Sequence, residues 1–135
     1  MEHCWRQPFR WGLLMAFDDQ HPWDRPEGVG TNDIVATSTC IAVPVLHSYD
    51  VEIPADLGPD ELIPEAEVEV VVIVDGPSPV SPQWTGSLVC ASGRLAVGDA
   101  ENGRVIDVPA GTARVSIGRS PAEFAEHVVI TIAGE

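Results

Sequence analysis

Residues 65–74, EAEVEVVVIV, constrain the fold more tightly than any other stretch of this chain. Successive side chains of a strand leave opposite faces, so Glu65, Glu67 and Glu69 share one wet face while the residues between them face the other way. The second half is wholly apolar and rich in β-branched residues, a pattern that predicts cover on both faces. A layered β architecture is the natural home for such a segment.

The rest of the chain agrees. Pro and Gly number 12 each and mostly fall between short apolar runs, where they supply turns. Trp11–Phe17 reads as a first strand, ended by Asp18-Asp19 and His21-Pro22. A polar loop over 20–32 follows, long enough that a binding role is the usual reason for its length. Ile34–Leu46 is β-branched, with Pro44 marking an edge or a bulge, and Tyr49–Ile53 alternates. Three prolines and a glycine in 54–64 exclude a helix of any length.

Beyond a turn-rich connector at 75–82, Leu88–Cys90, Leu95–Val97, Val105–Val108 and Ala113–Ile117 read as short strands of an antiparallel meander. Asn102-Gly103 suits a hairpin and Pro109-Ala110-Gly111 a tight turn. Ser120-Pro121-Ala122-Glu123 has the form of a capping box with Pro at the first helical position, which predicts a short helical turn to Glu126. His127–Ile132 is the last strand. The expected fold is one all-β domain over 1–135, an antiparallel β-sandwich of about eight or nine short strands with a helical turn near 120–126. A chain of 135 residues can enclose a real core without metal or disulfide.

Charge narrows the class of partner. Twenty-one acids face seven basic residues, all Arg, for a net charge of −14. Residues 1–25 contribute 3 − 4 = −1, residues 26–93 contribute 0 − 11 = −11 and residues 94–135 contribute 4 − 6 = −2. Such a field repels nucleic acid and anionic membrane and attracts basic protein surfaces. Three widely spaced cysteines without a CxxC argue against a disulfide framework or a structural zinc. Cys40 and Cys90 sit in apolar runs as small hydrophobes. The N-terminal segment lacks a signal-peptide pattern and no apolar run reaches 18 residues, so a cytoplasmic location is expected.

Motifs for catalysis are missing. No GxSxG elbow is present, Gly28-Val29-Gly30 lacks the flanks of a phosphate cradle, and Cys40 and Cys90 lie within the Arg-free stretch 26–93, a setting that blunts a thiol's reactivity. A non-enzymatic protein without cofactor is expected. The candidate partner-binding residues are the stripe Glu65, Glu67 and Glu69, with no cation near it in sequence, and the loop aromatics Trp23 and Trp84, a residue type enriched at binding hot spots. An acidic strand face also serves simply to discourage edge pairing, and either Trp ring also serves as a lid on the core. A second reading is a small metal- or ligand-binding β-barrel, enzymatic or not, with Asp18, Asp19, His21 and His47 as ligands.

HPWD (21–24), GVGTNDIVATST (28–39) and GRLAVGDAENGRVIDVPAGTARVSI (93–117) together resemble the competence protein J family. That family is of the DNA-entry nuclease inhibitor type, and related small β-sandwich immunity proteins share its layout. The resemblance implies a non-enzymatic protein that binds and masks a nuclease or another toxin, and it assigns no binding residue to a numbered position. The function expected is therefore an acidic interaction protein, of inhibitor or immunity type, for a basic protein partner.

Overall fold

The valine-rich segment forms a strand, as its alternation predicts, with a neighbouring strand on each side. The structure, a computed structural model, describes residues 1–49, 58, 65–99 and 102–135. Among these residues there are ten strands and no helix, and so none long and apolar enough to cross a membrane. The strands are β1 (Glu2–Pro8), β2 (Leu13–Asp18), β3 (Val35–Ala36), β4 (Cys40–Pro44), β5 (Glu67–Val74), β6 (Trp84–Cys90), β7 (Arg94–Gly98), β8 (Gly103–Asp107), β9 (Gly111–Ser120) and β10 (His127–Gly134). They make two five-stranded sheets, β1-β5-β10-β9-β6 and β3-β4-β2-β7-β8.

The β-sandwich expected from the sequence is therefore the fold, with one departure from antiparallel pairing. β5 runs antiparallel to β1 but parallel to β10, with Val70 opposite Val128 and Val72 opposite Ile130. Inward-facing Val68, Val70, Val72, Ile117, Ile130 and Ile132 of the first sheet meet Leu14, Ile41, Val43, Leu95 and Ile106 of the second in one buried cluster, which Phe9 completes. At one side Arg104 of β8 stands 5.2 Å over the Trp5 ring, and Gln7 bonds both Trp5 and the Asn102 carbonyl.

Several local readings change. β1 lies where no strand was expected, because its inward positions His3, Trp5 and Gln7 include two polar residues that mask the alternation. Ile34–Leu46 is two strands: the Thr37 hydroxyl takes the Cys40 N–H and the Thr37 N–H bonds the Cys40 carbonyl, turning the chain between β3 and β4. The supposed meander divides between sheets. β6 pairs with β9 in one, while β7 and β8 form a hairpin in the other, and the chain crosses over at Gly93 (φ 74) and again just before Gly111 (φ 101).

The helical turn near 120–126 does not form. Ser120 still belongs to β9, opposite His127, and Phe124 has φ 53, a left-handed value that no right-handed helix contains. The strand read at Tyr49–Ile53 lies, from 50 onward, outside the described residues.

Two segments lie over the outer faces of the sheets. The 75–83 connector lies on the first sheet, with Val80 so close above Gly118 that an added Cβ would meet it at 2.8 Å. The long loop after β2 lies on the second sheet, which leaves the outward-facing Cys40 and Ala42 fully buried.

Candidate functional site

Glu67 and Glu69 share the outer face of β5, with Glu65 two residues before it, and the acidic group is not left uncompensated. β1 lies beside β5 with Arg6 opposite Glu69 and Pro8 opposite Glu67. Arg6 reaches Glu69 at 3.8 Å, and Arg10, just past β1, reaches Glu65 at 3.4 Å. The His127 ring puts Nδ1 2.7 Å from the other Glu69 oxygen. Glu67 has no ion-pair partner among the described residues.

The two expected Trp anchors differ. Trp84 lies along the inner face of edge strand β6 and packs against the core, its ring over Gly86, where a Cβ would come within 2.5 Å of it. It is a lid on the core. Trp23 stacks on Phe17, with centroids 4.6 Å apart and planes at 29°, and keeps 37% of its surface in solvent.

Other exposed aromatics gather at the end of the sandwich where β1 finishes and β2 begins. Trp11 is 70% exposed, Phe124 65% and Tyr49 59%. Trp11 sits at a turn closed by the Gly12 N–H on the Phe9 carbonyl, with Gly12 at φ 63. Buried Phe9 fixes that turn and the Trp ring projects from it. Tyr49 lies beside His47, with ring centroids 5.3 Å apart. Reading Trp11 as a strand residue and Phe124 as part of a helical turn concealed both. The Trp11-Gly12 pair, which suits a turn, was the available signal.

Between the start of β2 and the long loop lies a groove of about 620 Å³. Leu13 and Met15 form its floor, with Trp11, Trp23, Arg25 and Pro44 around it. Gly30, Thr31 and Pro44 also border a second hollow of about 360 Å³, walled by Glu123 and Phe124. The loop is pinned. The Asp24 N–H donates to the Thr39 hydroxyl and its carbonyl accepts from Thr37 Oγ1, both at 2.9 Å. Arg119 donates to the carbonyls of Asn32 (2.9 Å) and Pro44 (3.3 Å), and Asn32 Nδ2 donates to the Ala122 carbonyl at 3.0 Å.

The alternative ligand set, Asp18, Asp19, His21 and His47, is not assembled. Among the described residues no three His, Cys, Asp or Glu groups are placed to hold a metal ion. Asp18 ends β2, whereas His47 packs on Gly12 just before its start. A strand rises about 3.3 Å per residue, so the two stand roughly 20 Å apart. The Asp18 carboxylate is also engaged, accepting from Ser92 Oγ (2.6 Å), Ser92 N (2.9 Å) and Gln20 N (2.9 Å). Two open sheets, with β1, β6, β3 and β8 at their edges, likewise replace the alternative barrel. Burial pushes the Cys40 thiol up to about 12, and Cys90 rises for the same reason.

No protein-family model and no curated protein sequence matches the chain. Among solved structures the chain is similar to ComJ, the inhibitor of the DNA degrading activity of NucA from Bacillus subtilis, with TM-score 0.60 and 12% identity over 100% of this chain and 99% of that one. It is also similar to the crocagin biosynthetic gene J protein, with TM-score 0.50 and 18% identity over 99% of this chain and 96% of that one. At such identities the likeness is one of fold, and the resemblance read from the sequence holds in three dimensions: this chain has the two-sheet fold of ComJ from end to end.

Proposed function

We propose that this chain is a non-catalytic, acidic protein-binding molecule of the inhibitor or immunity type, which masks a basic enzyme or toxin. The observation that carries this reading is the whole-length likeness to ComJ, itself an inhibitor of a DNA-degrading activity. The net charge of −14 supports it, because an enzyme that acts on nucleic acid presents basic surface, and opposite fields speed encounter. Exposed Trp23 and Trp11 supply the aromatic character of binding hot spots. Glu67, flanked by the paired Glu65 and Glu69, keeps a carboxylate open to a partner's cation.

The test is association and inhibition with a basic nuclease or toxin encoded beside this protein. The association rate is expected to fall on the order of tenfold between low salt and 0.5 M salt, because exposed charges are screened within about 8 Å at physiological ionic strength and closer still above it. The target's activity is expected to titrate to zero near equimolar protein. A rate indifferent to salt removes the electrostatic part, and binding that leaves the target active removes the inhibitor role.

A further inference from the structure

We infer that the groove between Trp11, Trp23 and Pro44 is the anchoring pocket of that interface, and that it receives an apolar side chain from a partner loop whose flanking residues are Lys or Arg. This rests on the protein-binding reading above and adds where the partner is gripped and by what chemistry.

Shape comes first. The groove's volume of about 620 Å³ lies within the range of pockets that enclose a sizeable ligand. Half-buried Leu13 and Met15 offer an apolar floor, and the exposed Trp11 and Trp23 rings offer walls that would each lose water on contact. Burying apolar surface is favourable by about 25 cal/mol per Å².

Composition is the second ground. Binding hot spots are enriched in Trp, Tyr and Arg. This groove gathers two of the chain's four Trp and one of its Arg into one wall.

Charge decides what flanks the anchor. The loop that walls the groove carries exposed Asp24, Glu27 and Asp33, and the adjoining hollow carries exposed Glu123. Arg25 is the one cation lining either hollow among the described residues. A segment with acidic flanks would meet these carboxylates at close range, whereas basic flanks complement them.

Preorganisation is the last ground. Thr37, Thr39, Arg119 and Asn32 hold the loop by hydrogen bonds at several points along its length. Closing on a ligand then costs little ordering entropy.

The test is a titration of the full chain with a capped hexapeptide that has a Trp-Leu centre and two basic residues on each side, followed through the indole N–H signals in NMR. The Trp11 and Trp23 signals are expected to shift, with those of Trp5 and Trp84 still, and the dissociation constant is expected below about 1 mM. Acidic flanks, or an Ala-Ala centre, should each weaken binding at least tenfold. So should Trp11→Arg and Trp23→Ala, with Thr85→Ala on the outer face of the other sheet as the unaffected control. Binding of the acidic-flanked peptide as tight as the basic one overturns the proposal, as does no binding of either, or equal binding of free indole, which would make this a small-ligand pocket. If Trp11→Arg leaves inhibition of a true partner undiminished, the groove assignment falls and the inhibitor reading stands. If the peptide binds as described but no enzyme is inhibited, the reverse holds.

Discussion

Asp18→Asn tests how the long loop is tied to the sandwich. Asp18 is 3% exposed at the end of β2 and accepts from the Ser92 hydroxyl, the Ser92 N–H and the Gln20 N–H. It thus fastens the β6–β7 turn to the first residues of the loop that carries Trp23. Burial alone pushes this carboxyl up, but the bonds from Ser92 and Gln20, with His21 nearby, outweigh it and bring its pKa to about 2 from 3.8. At about 1.4 kcal/mol per pH unit the ionised form favours the fold by ~2.5 kcal/mol at most. The side-chain oxygen of an Asn would still accept the Oδ1 bonds from Ser92 and Gln20, which leaves an expected loss of about 1–2 kcal/mol.

The folded value is the depressed one, so this contribution is complete above 3.8 and disappears as pH falls to about 2. Asn keeps the shape, drops the charge and turns an amide N–H₂ toward groups that are themselves donors. Urea unfolding at pH 7 should show a loss of about 1–2 kcal/mol, with a melting point lower by roughly 4–8 °C. Near pH 2.5 the gap between parent and variant should shrink to less than half. A gap of equal size at both pH values, or none at pH 7, refutes the reasoning.

Gly86→Ala should cost about 1–3 kcal/mol and shift Trp emission to the red, because the new methyl would lie 2.5–2.7 Å from ring atoms of Trp84. Unchanged denaturant midpoint and emission would show that the ring has no such seat. Iodoacetamide at pH 8 should add once to the folded protein, at exposed Cys4, with Cys40 held unreactive by a thiol pKa of about 12. Adducts on Cys40 in intact-mass and peptide mapping would contradict its burial. Glu69→Gln should cost less than about 1 kcal/mol in urea unfolding, since Arg6 and His127 meet it at a partly solvated face. A larger loss would mean that the pair is shielded from water.

How much was legible depended on whether the deciding contact was local. β5 was visible because its alternation and its β-branched run are properties of adjacent residues. β9 and β10 were visible for the same reason. The acidic stripe was legible as a face, but not its neutralisation, since Arg6 meets Glu69 only through a strand register set by the whole sheet. The capping box at 120–123 is a local signal that lost to a tertiary one: Ser120 stays in its ladder with His127, and the Glu126 N–H bonds back to the Ser120 carbonyl. The groove had no linear signature, because Trp11 and Trp23 come from separate turns that meet only once the loop lies over β2.

The parallel pairing of β5 with β10 bears on how the molecule is made. β5 takes its neighbours from opposite ends of the chain, Glu2–Pro8 on one side and His127–Gly134 on the other. During synthesis Val70 to Val74 emerge long before their second partner, and for that interval they form an open, uncharged, valine-rich border. Such a border invites pairing with a second nascent chain. The glutamates that precede it, and the proline and glycine that follow at Gly76 and Pro77, bracket the vulnerable stretch with residues that resist stacking. A fragment ending before β10 would keep that border permanently, so it should be recovered from cells as aggregate, while the whole chain seals it by its own last strand.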